Sequence, residues 1–258
     1  MKATTEDEGL VADAIRHANL LLAEGPIRLR AAWASSVDGA QGGTVPVYLV
    51  APSDTAPSSP AVVPSGCACV FVNPALLSSW AAAHSQGAGR LDLDREALLT
   101  FMLLHEAGHL SKGTTGGTIE QGNLTQLNIE PALAKRSEED ADEFAVRLLR
   151  DYFRRVPATS ASLEANAVVN ELLKLSWNMQ AYRTIDEFAA SATGKPSVYF
   201  DNGYSHPNLA WRILRSNYLI HQNEATKMLL DEFEAARKRG TKVAPAFDSR
   251  QPSQSPKQ

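Results

Sequence analysis

The sequence predicts an α+β fold, mostly helical, with a small sheet beside one helix that carries ionisable residues. Three observations lead there. Apolar residues recur at helical spacing over 7–23, 131–153, 162–183, 207–221 and 224–238. Short apolar runs bounded by Gly, Pro, Ser or Asn fall in the first third, at 27–34, 45–50 and 67–72. Between these groups the segment 97–104 is apolar on nearly every side, which reads as a buried helix.

Taken in order, the helix over 7–23 puts Leu10, Val11, Ala14, Ile15, Ala18, Leu21 and Leu22 on one face. Its polar face has no excess of Lys and Arg, so the apolar face is expected to dock on the protein core rather than on lipid. The Gly-rich 38–43 separates the first two strands, and the Pro/Ser-rich 51–66, which has no period, reads as a long loop. The strand at 67–72 ends at Asn73-Pro74, where Pro74 suits the first position of a helix. That strand is expected at the sheet edge along a cleft, where a peptide could add as a further strand. Cys67 and Cys69 would share one of its faces, too far apart for an easy disulfide, and are expected to be reduced. The central helix has Asp94 as N-cap, Glu96 in its first turn and Gly113 just beyond it. A Gly/Thr-rich turn region at 114–122 follows, either bordering the cleft or forming an ordinary surface loop. A short strand at 197–200 and a turn at Asn202-Gly203 precede the last two helices.

With 258 residues, 44% of them hydrophobic, the chain can bury a real core. One domain over 1–239 is expected, followed by a disordered Pro/Ser/Gln/Lys-rich tail over 240–258. A net charge of −4 gives no hint of a nucleic-acid surface. No run approaches the length that spans a bilayer, and the acidic first eight residues lack a secretory pattern. A soluble, cytoplasmic protein is the expectation, and the oligomeric state is left open.

The chemistry centres on His105-Glu106-Ala107-Gly108-His109. Histidines four apart share a helix face, so both rings can reach one ion, and Glu106 can reach a water on that ion. Two imidazoles and a carboxylate in an apolar helix would cost several kcal/mol if unpaired; a metal removes that cost. A third ligand is expected downstream. In the helix after the gap, Glu138 continues the stripe of Ala141, Ala145, Leu148 and Tyr152, so it points inward and needs a partner. Asp142 lies on nearly the same side, placed to accept a hydrogen bond from a ligating histidine and fix its tautomer. The competing reading is a helix start, with Ser137 as N-cap and Asp140 in the capping-box position. Glu139 and Glu120 are alternative third ligands.

The His-Glu-x-x-His motif followed by Glu138-Glu139-Asp140-Ala141-Asp142 resembles the gluzincin metallopeptidases, among them the heat-shock protease HtpX and the CAAX prenyl proteases. A third stretch, Ser205-His206-Pro207-Asn208-Leu209-Ala210-Trp211-Arg212-Ile213, is similar to their downstream His-Pro…Arg-Ile motif. The short gap between His109 and Glu138, without membrane segments, is closer to the soluble ImmA/IrrE-type and Lit-type peptidases. The resemblance covers roughly residues 67 to 221. It implies a zincin-like domain and a Zn2+ ion held by His105, His109 and Glu138. It also implies roles for His206 and Arg212 on the substrate carbonyl or the developing oxyanion, with Tyr204 as a further donor. His206 would in any case sit at a helix N-terminus that favours negative charge.

These residues define a zinc-dependent endopeptidase as the leading expectation. Glu106 would act as general base on a zinc-bound water, and the partner would be a protein or peptide substrate. A regulatory or binding module that keeps the zinc site without constitutive proteolysis is the alternative. Metal-assisted hydrolysis of a non-peptide bond is a third and weaker one.

Overall fold

The structure, a computed structural model, describes residues 4–33, 43–50, 59–64, 66–77, 95–112, 131–155, 209–222 and 224–238. In chain order these form α1 (Thr5–Leu21), β1 (Arg28–Ala31), β2 (Thr44–Leu49), β3 (Ala61–Val62), β4 (Val70–Val72), α2 (Arg95–Ser111), α3 (Pro131–Arg155), α4 (Leu209–His221) and α5 (Glu224–Lys238). Helices around one small mixed sheet make the α+β arrangement that the sequence predicts. The expected helix at 162–183, strand at 197–200, turn region at 114–122 and tail at 240–258 lie outside the described residues, as do Asp94, Glu120, Tyr204 and His206.

Helix α1 starts two residues before its apolar period does. Thr4 and Asp7 form a reciprocal capping box: the Asp7 amide donates to Thr4 Oγ1 at 3.1 Å, and the Thr4 amide donates to the Asp7 carboxylate at 3.0 Å. Val11, Ala14, Ile15, Ala18 and Leu21 are buried against α2 and the sheet, as the periodicity requires. His17 is buried on the same helix and meets Glu96 in the first turn of α2.

The sheet runs β1-β2-β4-β3, with β1, β2 and β4 parallel and β3 antiparallel to β4. One face, carrying Leu29, Val45, Val47, Val70 and Val72, joins Leu99, Leu103 and Leu104 of α2 in the main core. The other carries a smaller cluster of Ala32, Tyr48 and Cys69, where Phe71 meets the Tyr48 ring edge-on at 5.8 Å. Gly43, at φ +81°, feeds β2, and a Cβ there would come within 2.7 Å of the Pro26 carbonyl oxygen.

Two expectations about this region are corrected. The 67–72 segment does not lie at the sheet edge: only Val70–Val72 is strand, and it runs between β2 and β3. The edge beside α2 is β3, a two-residue strand inside the stretch read as loop; two residues are too few to leave a period. Nor are the cysteines reduced. Residues 67–69 bend ahead of β4 instead of extending, the Cα atoms come to 5.2 Å, and Cys67 and Cys69 form a disulfide. Paired in this way, the two cysteines lend no support to a reducing compartment.

A helical turn begins at Pro74, as expected, and the Leu77 amide donates to the Asn73 carbonyl at 3.2 Å. Helix α3 starts at Pro131, so Ser137 is an interior residue and not the N-cap. Its buried face, Glu138, Ala141, Asp142, Ala145 and Leu149, packs on α2. Helix α4 packs on α3 and on α5, with Gln222 at φ +50° in the break between the last two helices. Among the described residues no helix is long and apolar enough to cross a membrane.

Candidate metal centre

The site forms where α2 crosses α3, and the crossing is close because both helices present small residues. A Cβ added at Gly108 would lie 3.0 Å from the Ala141 Cα and 3.1 Å from its carbonyl oxygen. With only hydrogen there, the α3 backbone comes near enough for Glu138 to reach both histidines of α2. The small residues in His-Glu-Ala-Gly-His and Glu-Glu-Asp-Ala-Asp are therefore part of the geometry of the site.

His105, His109 and Glu138 each offer a ligand atom, and these atoms lie within 4.8 Å of one another. The two Nε2 atoms are 3.1 Å apart; Glu138 Oε2 is 3.2 Å from His105 Nε2, and Oε1 is 3.4 Å from His109 Nε2. All three side chains are buried, Glu138 to 2% exposure. Each Nδ1 faces a partner on α3: Asp142 Oδ1 at 2.8 Å from His105, and Ser137 Oγ at 3.3 Å from His109. Opposite a carboxylate, His105 Nδ1 must carry the hydrogen and donate it. Its Nε2 lone pair then points at Glu138, acceptor against acceptor. Only a cation or an added proton between them resolves that contact, and a buried set of two imidazoles and one carboxylate fits a metal ion.

The electrostatics agree. Burial opposes charge on His105, but hydrogen bonds to Asp142 and Glu138 outweigh it, and in the metal-free protein its pKa is pushed up to about 10. The extra proton occupies the place a metal would take. Burial also opposes charge on Asp142, yet the Arg212 guanidinium beside it holds the carboxyl well below the usual range. Arg212 stays cationic against its own burial because Asp142 and Glu138 face it.

Glu106 is 8% exposed. Burial raises its pKa, partly offset by the two histidines, and the Val63 amide just after β3 donates to its Oε2 at 3.0 Å. A carboxylate with raised proton affinity beside a metal pocket can accept a proton from a bound water.

Of the residues nominated from sequence, His105, Glu106, His109, Glu138, Asp142 and Arg212 come together, while His206 lies outside the described residues. Arg212 Nε and Nη2 donate to the two Asp142 oxygens at 2.7 and 2.8 Å, and Nη2 is 3.7 Å from Glu138 Oε2. Alongside the expected approach to a substrate oxygen, it thus has a defined place behind His105. Two contributors to the site were not nominated from the sequence, Ser137 and Val63. Ser137 was legible: it precedes Glu138 and falls on the same inward side once the helix is known to start earlier. The Val63 contact is made by backbone, which no residue type announces. Compared with protein-family models, curated proteins and solved structures, the chain has no match.

Proposed function

We propose that the protein is a zinc-dependent peptidase of the gluzincin type, with a zincin-like catalytic domain. The observation that carries the reading is the buried convergence of His105, His109 and Glu138 with Glu106 one residue along the same helix. Two imidazoles and one carboxylate are a donor set that zinc takes with a position left for water. When bound, the ion lowers the pKa of that water and polarises the scissile carbonyl.

The chain's own residues do the rest. Asp142 holds His105 by its Nδ1–H so that Nε2 faces the site, and Ser137 does the same for His109. Glu106, oriented by the Val63 amide, accepts the water proton and passes it to the leaving amine. His206 and Arg212, the residues of the His-Pro…Arg resemblance, are the proposed stabilisers of the oxyanion.

Metal content of the purified wild type tests this directly. About one zinc per chain is expected. Glu138→Gln should lose or greatly weaken it, while Glu106→Gln should keep the metal and lose turnover of an unstructured protein substrate. Turnover retained in metal-loaded Glu106→Gln would sink the assignment. One observation favours a second reading, a site that is silent until a partner opens it: Glu106 and all three ligands are at most 8% exposed. Cleavage seen only after a partner is added would select that reading.

A further inference from the structure

Helix α4 grips α3 with two arginines three residues apart. Arg212 makes two hydrogen bonds to Asp142. Arg215 makes two more, Nη1 to the Glu139 carbonyl at 3.1 Å and Nη2 to Glu143 Oε2 at 2.9 Å. All four fall on the single turn of α3 that follows Glu138. Arg215 is held from behind as well: its guanidinium lies over the Trp211 ring at 5.6 Å, and the Trp211 indole N–H donates to Glu234 of α5.

We propose that Arg215 is a positioning residue for the metal site, acting through Arg212 and Asp142 on His105. The inference rests on the reading that His105, His109 and Glu138 hold a metal. Asp142 accepts three bonds, one from His105 and two from Arg212, so its carboxylate plane is defined only while Arg212 is in place. Arg212 alone does not define the register of α4 on α3, because a long side chain can follow a shifted helix. The second contact at Arg215 narrows it, since a shifted α4 would have to keep both arginines within reach of their partners on α3 while Arg215 stays over the Trp211 ring. The Glu143 side chain is 44% exposed, so this ion pair adds little stability of its own. What it adds is placement. Partners of metal-bound histidines are worth about 10–100-fold in metal affinity, and α4 supplies the partner of the partner.

The test uses the full-length protein and zinc alone. Zinc affinity is measured by competition with a chromophoric chelator, and site geometry by the visible absorption of the cobalt-loaded form. Arg215→Glu and Glu143→Arg are each expected to weaken zinc by about tenfold and to shift the cobalt bands. The double variant Glu143→Arg/Arg215→Glu rebuilds the ion pair with its signs exchanged but leaves the Glu139 carbonyl without its donor, and is expected to recover affinity and spectrum in part. Should Arg215→Glu fail to fold, Arg215→Lys takes its place: it keeps the charge, loses the fork, and is expected to fall between wild type and Glu143→Arg. Wild-type affinity and bands in the single variants would overturn the inference while leaving the metal site standing, and so would a loss that the double variant does not repair at all. A wild type that takes up no zinc or cobalt would overturn the metal reading itself.

Discussion

At the scale of single residues, the site is built from contacts that tolerate almost no added volume. Gly108→Ala puts a methyl group against the Ala141 backbone at 3.0 Å, where neither helix can yield without moving Glu138. The variant is expected to lose about 1–3 kcal/mol of stability and, unlike a distant core change, to lose zinc affinity too; urea unfolding and metal competition check both. The His105–Asp142 contact makes a second prediction. His105 has a folded pKa of about 10 against an ordinary 6.5, so its contribution to metal-free stability is complete below 6.5 and fades as pH rises towards 10. Asp142 is shifted down from an ordinary 3.8, so its contribution is complete above 3.8 and fades in acid. The acid limb belongs chiefly to Arg212 facing Asp142, and the alkaline limb to Asp142 and Glu138 facing His105. The metal-free protein is therefore expected to be stabilised by this group of contacts most fully between pH 3.8 and 6.5. Asp142→Asn should remove the Asp142 share of the acid limb and weaken the alkaline one, which Glu138 still supports, as urea midpoints across pH would show. Zinc reverses the alkaline limb, because it must displace the His105 proton and so binds better as pH rises.

At the scale of elements, each helix has one face committed to the core and one end that decides where it begins. In α1 that end is the Thr4–Asp7 box. Thr4→Ala is expected to cost about 1 kcal/mol, visible as a lower urea midpoint with zinc affinity unchanged, since α1 supplies no ligand. A drop in zinc affinity would mean that α1 docking is transmitted along α2, through contacts such as His17 with Glu96. In α3 the start at Pro131 matters more than its cap, because it turns Ser137 from a helix terminus into a partner of His109. The short β3 does work out of proportion to its length: it forms the sheet edge beside α2, and the next residue supplies the amide that meets Glu106.

At the scale of the whole molecule, the candidate metal centre ties together parts of the chain far apart in sequence. His105 and His109 come from α2, Glu138 and Asp142 from α3, Arg212 from α4, and the amide on Glu106 from the end of the sheet. A ligand that joins two helices stabilises only the folded state. Zinc at a thousand times its dissociation constant is expected to add about 4 kcal/mol. Chelation should accordingly lower the thermal midpoint, re-addition should restore it, and Glu138→Gln should show neither response. A chelator-insensitive wild type that nonetheless contains zinc would place the ion elsewhere.

The sequence by itself determined what depends on local repetition and residue type. Helical period located α1, α3 and α5 to within a few residues, and the apolar segment with two histidines four apart marked α2. The inward stripe of α3 singled out Glu138 over Glu139 and Glu143, and four turns of regular helix carry that register faithfully from residue to residue. Tertiary structure alone decided what depends on two segments meeting. It put β4 inside the sheet and β3 at the edge, because strand order is set by backbone pairing that side chains do not encode. It closed Cys67 onto Cys69, because a bend replaced an extended strand. It also brought Arg212 to Asp142 and the Val63 amide to Glu106, across separations of 70 and 43 residues. Such contacts leave no period to read: a guanidinium bonds wherever the packing of its helix carries it, and a backbone amide is the same at every residue but proline.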